Sequence, residues 1–555
     1  MKLSGAELLI KLLEIEDVKY ISGIPGGFNL PIYNALYESD ISHILARSEQ
    51  GAAFIAQGIS RTSNSVGVCF ATSGPGATNL LTAIADAKLD SIPLIAITGQ
   101  VPSTAIGTDA FQEVDAFGLF LPVCKHNYLV KDAMELLEII PKAFYLAKEG
   151  RPGPVLIDIP KDVQNQTVDV DLILLQNKYK NSIYEINLST IKKISKTINN
   201  SFKPIIYAGG GIINSNASKE LKDFAHKNNI PVALTLMGLG SLPYNDTLNL
   251  GMLGMHGAPY TNYLINEADL IIAIWVRFDD SATGNINIFC PNATIIHIDI
   301  DASEINKLKP SNLSLICDAK EFLKEIMPYI DNDNREEWIK HVNVIRDAFP
   351  LPYYEDELHP SNFIQYISKL VPEDTIIATD VGEHQMWTAQ RYNFIKPKTL
   401  ITSGGLGTMG FGLPAAIGAA LENQDKTVIC FTGDGSILMN IQEFATLADY
   451  KLNIKIIIFN NKHLGLVRQQ QELFYDKHYI ASKFITNPDF MQIAEGFGIK
   501  SCNLETEKEP LEKLKEIFRT DEPYVINLPV SETEKILPMV APGAANVDMI
   551  GVRRN

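Results

Sequence analysis

Three stretches of this chain repeat one pattern: a short β-branched or apolar run, a glycine-rich turn, then a helix-like segment. They read "SVGVCFATSGPGATNLLTAIADA", "KPIIYAGGGIINSNASKELKDFA" and "TVICFTGDGSILMNIQEFATLADY". A helix between two strands carries the chain back to its starting edge, so the strands pair parallel and both sheet faces become covered. The expected fold is α/β, with three domains each built on a parallel sheet flanked by helices. A length of 555 residues is too great for one core and suits three domains of ordinary size. Two polar stretches read as surface connections: "QNQTVDVD" with the following "QNKYKNSIYEIN", and "PYIDNDNREEW" with "FPLPYYEDELHPSN". The domains are therefore expected at residues 1–165, 190–330 and 358–540, with a tail at 541–555.

Composition removes several function classes. Hydrophobic residues at 46% and charged residues at 20% place the chain among soluble globular proteins. No apolar run approaches the roughly 18 residues of a membrane span. The opening "MKLSGAELLIKLLEIEDVKY" carries charges every few residues and reads as an amphipathic helix, not a signal peptide. A net charge of −17 argues against nucleic acid, and no basic cluster stands out beyond the two arginines of "GVRRN". The six cysteines are scattered without CxxC or metal-ligand spacing, which suits reduced, buried thiols and a cytoplasmic protein.

The strongest chemical signal is "GDGSILMNIQEFATLADYKLNIKIIIFNN", Gly433 to Asn461. "TVICFTGDG" is a strand entering a turn, "MNIQEFATLADY" a helix and "IKIIIFNN" the next strand. The crossover returns both strand ends to one sheet edge, so Asp434 and Asn461 meet where such folds bind ligands. One carboxylate and one amide oxygen suit Mg²⁺, which takes few protein oxygens and completes its shell with phosphate and water. Gly433 and Gly435 admit an anion, Ser436 follows them, and the N-terminus of the next helix favours negative charge.

A second candidate is Glu49, in "ILARSEQGAAFIAQGISR" between a strand-like "SHILAR" and a helix. An isolated glutamate so placed is more often a partner of the helix dipole. Its neighbours are "GIPGGFNLPIY", Gly23 to Tyr33, and "ATSGPGATN", Ala71 to Asn79.

These segments together resemble the thiamin-diphosphate-dependent enzymes. The resemblance implies that Asp434, Asn461 and the main-chain oxygen of His463 hold the metal. It also implies that Glu49 is the carboxylate sharing a proton with the aminopyrimidine N1′, a role suited to a glutamate in an apolar place. Pro25, Gly26, Gly27, Thr72 and Asn79 then border the pyrimidine half.

Within that group the chain is most similar to the catalytic large subunits of acetohydroxyacid synthase (acetolactate synthase). "DSIPLIAITGQVP", "IGTDAFQEVD", "GRPGPVLIDIPKD", "TSGGLGTMGFGLPAAIGAA", "LGLVRQQQELFY" and "PMVAPGAAN" carry the resemblance over nearly the whole length. The similarity is greatest to bacterial biosynthetic isozymes that work with a small regulatory subunit. The activity implied is decarboxylation of pyruvate and ligation of its two-carbon unit to pyruvate or 2-oxobutyrate, in branched-chain amino-acid biosynthesis. Met409 and Gly407 would support the cofactor, with Val381, Gly382 and His384 near the diphosphate. Gln112 and Lys161 would face the reaction pocket, and Arg277 would meet the acceptor's carboxylate as a guanidinium can. Since Glu49 and Asp434 lie in different domains, the resemblance implies a homodimer or a dimer of dimers.

The central block implies a Rossmann-like domain holding FAD. "IIYAGGGI" runs a strand into Gly209, Gly210 and Gly211, without GxGxxG spacing, a weak hint alone. Beside it stand "TLMG" (Thr235, Leu236, Met237), "GMLGMHG" (with Gly254, Met255, His256, Gly257), "VRFDD" and "HIDID" (with Asp299 and Ile300), and Asp318 follows. By resemblance these bind FAD, which does no net redox work in the family.

Three positions depart from the family pattern: Glu383 for glutamine, Phe28 for a small residue and Ser48 for histidine. A carboxylate at 383 is unfavourable near a diphosphate unless it points away, is protonated or meets a cation. A pyruvate oxidase or 2-oxo acid decarboxylase of the same family is the alternative activity, and an inactive cofactor-binding paralogue the remaining one. In "VRQQQELF", Gln469 and Gln471 read as a solvated helix face. Gln470 stands where most relatives carry tryptophan, so the acceptor pocket is expected to lose apolar contact with 2-oxobutyrate.

Overall fold

A computed structural model describes residues 1–171, 179 and 186–552. The arginines of "GVRRN" and most of the "QNKYKNSIYEIN" connection lie outside the described residues. Three six-stranded sheets, all parallel, account for the core, as the strand–turn–helix units lead one to expect. Their central strands are apolar almost throughout. Leu94–Gln100 and Pro154–Pro160 are buried at every position, because helices cover both faces.

The first sheet runs Ser42–Leu45, Tyr20–Gly23, Gly67–Ala71, Leu94–Gln100, Pro154–Pro160, His126–Leu129. In chain order that is 2-1-3-4-6-5. The third sheet has the same order: Leu400–Ile401, Ile376–Thr379, Val428–Gly433, Ile454–Asn460, Tyr524–Pro529, Lys500–Asn503. The first and third units thus share one topology. The middle sheet differs, running Asn249–Met252, Val232–Leu234, Pro204–Ala208, Leu270–Ile274, Thr294–Asp299, Leu313–Ile316. This is 3-2-1-4-5-6, the dinucleotide-binding order.

First and third units join through the helices Glu49–Thr62 and Gly412–Glu422. They cross at backbone contact. A Cβ on Gly58 would come within 2.1 Å of the Ala415 carbonyl oxygen, and one on Gly418 within 1.9 Å of that of Ile55. Nearby, buried Arg61 pairs with Asp86 at 3.1 Å and Asp90 at 2.8 Å. Asp90 also accepts from the Gly404 and Gly405 amides at 3.0 and 2.7 Å, which ties the loop leading to Gly407 and Met409 to the first unit. The chain's last segment folds back on the middle unit, where Asn546 donates to the Ala282 carbonyl.

Candidate active site

The strand Val428–Gly433 turns directly into the short helix Asp434–Ile437, and Ile454–Asn460 lies beside it in register. Asp434 and Asn461 therefore share one edge and one cavity, of about 220 Å³. The cavity also gathers Val381, Gly382, His384, Gly407 and Met409 with Gly433, Gly435, Ser436 and His463. Asp434 is buried and accepts from the Lys462 amide at 2.7 Å and the Gly435 amide at 3.0 Å. Burial pushes its carboxyl up to about 7, a cost that a cation beside it would reverse. Asn461 accepts from the His463 amide through Oδ1 at 3.0 Å.

Glu383 accounts for the other half of Asn461. The Asn461 Nδ2 donates to Glu383 Oε2 at 3.0 Å, so the amide oxygen is turned the other way. Burial, reinforced by Glu534, pushes the Glu383 carboxyl up to about 8. Of the three ways this residue escapes conflict with a diphosphate, that direction of shift favours protonation. Glu383 Oε1 and His384 Nε2 are buried without hydrogen-bond partners, two polar atoms on the wall of a cavity that would receive an anion. Burial also holds His384 down at about 3, which makes its imidazole neutral.

Asp380, which sequence reasoning missed, aligns the two loops over this cavity. It accepts from the Val381 amide at 3.0 Å, the Gly410 amide at 2.7 Å and the Thr432 hydroxyl at 3.1 Å. Its position at the carboxyl end of the strand "IIAT" was the available signal.

At the first sheet, Glu49 opens the helix Glu49–Thr62, with Ser48 as its cap accepting from the Gly51 amide. The exposed Asn79 donates to Glu49 Oε2 at 2.9 Å. In the loop of Pro25, Gly26 and Gly27, Gly26 lies against Thr72, whose hydroxyl accepts from the Phe28 amide at 3.3 Å, and the space beside Gly27 is open. Phe28 lies under Lys161, with Nζ 5.8 Å from the ring centre. The entry to Glu49 is fixed from the third unit: buried Glu443 accepts from the Arg47 and Ser48 amides at 2.9 and 3.1 Å.

Gln112 has a φ of +59°, and its carbonyl accepts from Ser73 at 2.7 Å. Behind it runs a buried chain. The same Ser73 hydroxyl lies 2.9 Å from Gln100 Oε1, sharing its one hydrogen between the two oxygens, and Gln100 donates to Asp158, also at 2.9 Å. Burial pushes the Asp158 carboxyl up to about 7.

The 220 Å³ cavity is lined by no residue of the first unit. Within one chain, Glu49 and Asp434 are not on the same wall.

A wider chamber of about 580 Å³ adjoins, where the middle unit faces the third. Of the residues expected at FAD, it takes Gly210, Thr235, Leu236, Met237, Met255, His256 and Arg277, and it is also lined by Gly407 and Gln470. Arg277 donates to the Leu89 carbonyl at 2.6 Å. A second, narrow chamber of about 120 Å³ takes Gly211, Asp299 and Ile300, with Arg151, Glu304 and Trp275. Gly209, Gly254, Gly257 and Asp318 line neither chamber. Asp318 instead caps the helix Ala319–Ile326.

The glutamine triplet needs one correction. Gln470 is exposed to the wide chamber, but Gln469 is not on a solvated face. It is buried, donating to the Ile536 carbonyl at 3.0 Å and accepting from the Ile536 amide at 2.8 Å. Consecutive helix residues point about 100° apart, and the segment near Ile536 covers that side. Gln471 is half-buried, bonded to Ile480 and Ser482.

Comparison with known proteins agrees with the three-unit α/β fold. The chain matches the thiamine pyrophosphate enzyme N-terminal TPP binding domain over residues 3–119 and the central domain over 191–326. It matches the C-terminal TPP binding domain over 380–528. It is 49% identical to acetolactate synthase isozyme 1 large subunit of Escherichia coli (strain K12), covering 99% of this chain and 98% of that one. It is 45% identical to acetolactate synthase large subunit of Cyanidium caldarium, covering 99% and 97%. With the probable acetolactate synthase large subunit of Methanococcus aeolicus it shares 44% identity over 99% and 95%.

Proposed function

The chain belongs to the family of acetolactate synthase large subunits, which are thiamine pyrophosphate enzymes, and from that premise we propose how its residues work. It is a thiamin-diphosphate-dependent acetolactate synthase. It decarboxylates pyruvate and joins the two-carbon unit to a second 2-oxo acid. Pyruvate as acceptor gives 2-acetolactate and 2-oxobutyrate gives 2-aceto-2-hydroxybutyrate, the entry to branched-chain amino acids.

Bound thiamin diphosphate supplies the electron sink for loss of CO₂ and for the new carbon–carbon bond. Asp434, the Asn461 side-chain oxygen and the His463 main-chain oxygen would hold Mg²⁺, with Glu383 keeping the Asn461 oxygen turned for that purpose. The unpartnered His384 Nε2 would donate to a diphosphate oxygen. Glu49 keeps one oxygen on Asn79 and would share a proton with an aminopyrimidine nitrogen. Gln112, Lys161 and Arg277 would orient the 2-oxo acids, and Gln470 would border the acceptor.

Because the metal cavity takes nothing from its own first unit, the Glu49 edge is supplied by a second copy. A homodimer is the smallest complete unit, and Phe111, Leu121 and Met439, all more than half exposed in one chain, are apolar surface for it to cover. The two Escherichia coli relatives are named large subunits, which supports a small regulatory partner. Six free, buried cysteines support a cytoplasmic setting, and among the described residues no helix is long and apolar enough to cross a membrane. For FAD the residues fit only in part. The wide chamber has the size of a ligand site, the narrow one falls below the range of about 300–1,000 Å³ usual for such sites, and no step here depends on a flavin.

The observation that carries the reading is the meeting of Asp434 and Asn461 on one cavity wall. Incubation with pyruvate, thiamin diphosphate and Mg²⁺ is expected to yield 2-acetolactate, measured as acetoin after acid treatment. Acetaldehyde as main product indicates a decarboxylase and oxygen uptake an oxidase; either overturns the reading.

A further inference from the structure

The middle sheet has the 3-2-1-4-5-6 order, so the place of a dinucleotide is outside the ends of its first and fourth strands, Pro204–Ala208 and Leu270–Ile274. Trp275 stands there, one residue beyond the fourth strand. Its φ of +52° lies in the left-handed region that bulky residues seldom adopt. The indole covers the glycine turn of the first strand. A Cβ built on Gly211 would fall 1.7 Å from the indole Cε3, and one on Gly209 1.9 Å from the Trp275 carbonyl oxygen. At its other edge the indole Nε1 donates to the Cys317 carbonyl at 3.2 Å, beyond the sixth strand. The Trp275 amide itself donates to the Ile298 carbonyl at 2.8 Å. The side chain is pinned across the crevice from both ends.

Space and charge agree. The chamber beside the indole holds about 120 Å³, against about 580 Å³ in the adjoining one. Two of its cations, Arg61 and Arg151, are already matched by carboxylates, whereas Arg277 and Lys398 meet only carbonyl and amide oxygens. Arg151 pairs with Glu304 at 2.9 Å and Asp301 at 3.6 Å, and on the side of the wide chamber Lys307 pairs with the same Glu304 at 3.1 Å. Asp299 adds a further carboxyl to the same wall. A dinucleotide diphosphate would meet carboxyl groups and an indole where it needs amides and open space.

We propose that Trp275 is the resident occupant of the adenosine place, so that this enzyme holds no FAD and makes acetolactate without it. The proposal rests on the acetolactate synthase reading. The wide chamber, which Trp275 also borders, keeps about 580 Å³ open, room for FMN, a flavin without the adenylate half.

Flavin released by heat from the purified full-length protein, followed by fluorescence titrations with FAD and FMN, tests this. Wild type is expected to carry less than about a tenth of an FAD per chain, and Trp275→Gly to bind FAD at least about tenfold more tightly. FMN affinity should change less than about twofold. Glycine accepts the left-handed backbone, so the variant keeps its fold. Trp275→Ala, which clears the ring by another route, should also bind FAD more tightly than wild type. One FAD per chain in the wild type, or equal FAD affinity in wild type and both variants, overturns the proposal. Acetolactate assays with and without FAD separate the two claims. No product under either condition removes the enzyme assignment, whereas formation strictly dependent on FAD removes this inference alone.

Discussion

The turn after Val428–Gly433 and the turn after Pro204–Ala208 begin alike: a buried strand of a parallel sheet, glycines, and a four-residue helix. They end differently. Beside the first, His384 Nε2 and Glu383 Oε1 stand unpartnered on an open cavity. Over the second lies the indole of Trp275. A glycine turn at a sheet edge supplies amides and removes a Cβ, but it becomes a phosphate site only where the neighbours leave room and unmatched donors.

The largest effects should come from the open turn and its partner edge. Glu49→Gln is expected to lower acetolactate formation by about 10²–10⁴, the usual worth of a positioned acid–base group, with circular dichroism unchanged. Asp434→Ala should cost at least as much, by removing the metal's carboxylate. Activity of Asp434→Ala within about tenfold of wild type would break the contrast between the turns.

At the filled turn the expected damage is to stability. Gly211→Ala forces a methyl against the indole and should cost about 1–3 kcal/mol, an overpacking penalty read from thermal or urea unfolding. In the double variant with Trp275→Gly most of that loss should disappear, a coupling that separate sites would not show. The next effect is on selectivity. Gln470→Trp should raise the ratio of acetohydroxybutyrate to acetolactate several-fold, at about 0.8 kcal/mol per buried methylene, in a competition of 2-oxobutyrate against pyruvate. A strong 2-oxobutyrate preference in the wild type would refute the role given to Gln470.

The smallest effect concerns the chain behind Gln112. Asp158 has its carboxyl raised to about 7, so the folded state holds a proton that the unfolded state releases from about pH 4 upward. Its contribution is complete in acid and is lost as pH rises through about 7. Asp158→Asn should therefore flatten the fall in Tm between pH 5 and pH 8, and an unchanged slope would show that another group sets it.

How much of this was legible in the residues follows from what each feature depends on. Asp434 and Asn461 could be paired from sequence because a strand–helix–strand crossover has one geometry. Glu49 needed the flanking "GIPGGFN" and "ATSGPGATN" segments, since a glutamate at a helix start is ordinary. Gln469 was misplaced because helix period gives faces but not what covers them, and the cover comes from Ile536, far along the chain. Trp275 was invisible for a related reason. Its backbone angle and ring position are set by Ile298, Cys317 and Gly211, which belong to other strands and turns. Arg151 and Glu304 likewise meet only in three dimensions.

The central claim is that one active site is made from the Glu49 edge of one copy and the Asp434 edge of another. Glu49→Gln and Asp434→Ala chains, each inactive alone, can be co-expressed, purified together and assayed for acetolactate. Random pairing puts both variants into half of the dimers, each with one intact site, so about a quarter of wild-type activity should return. Recovery no greater than the sum of the two separate variants would contradict the claim.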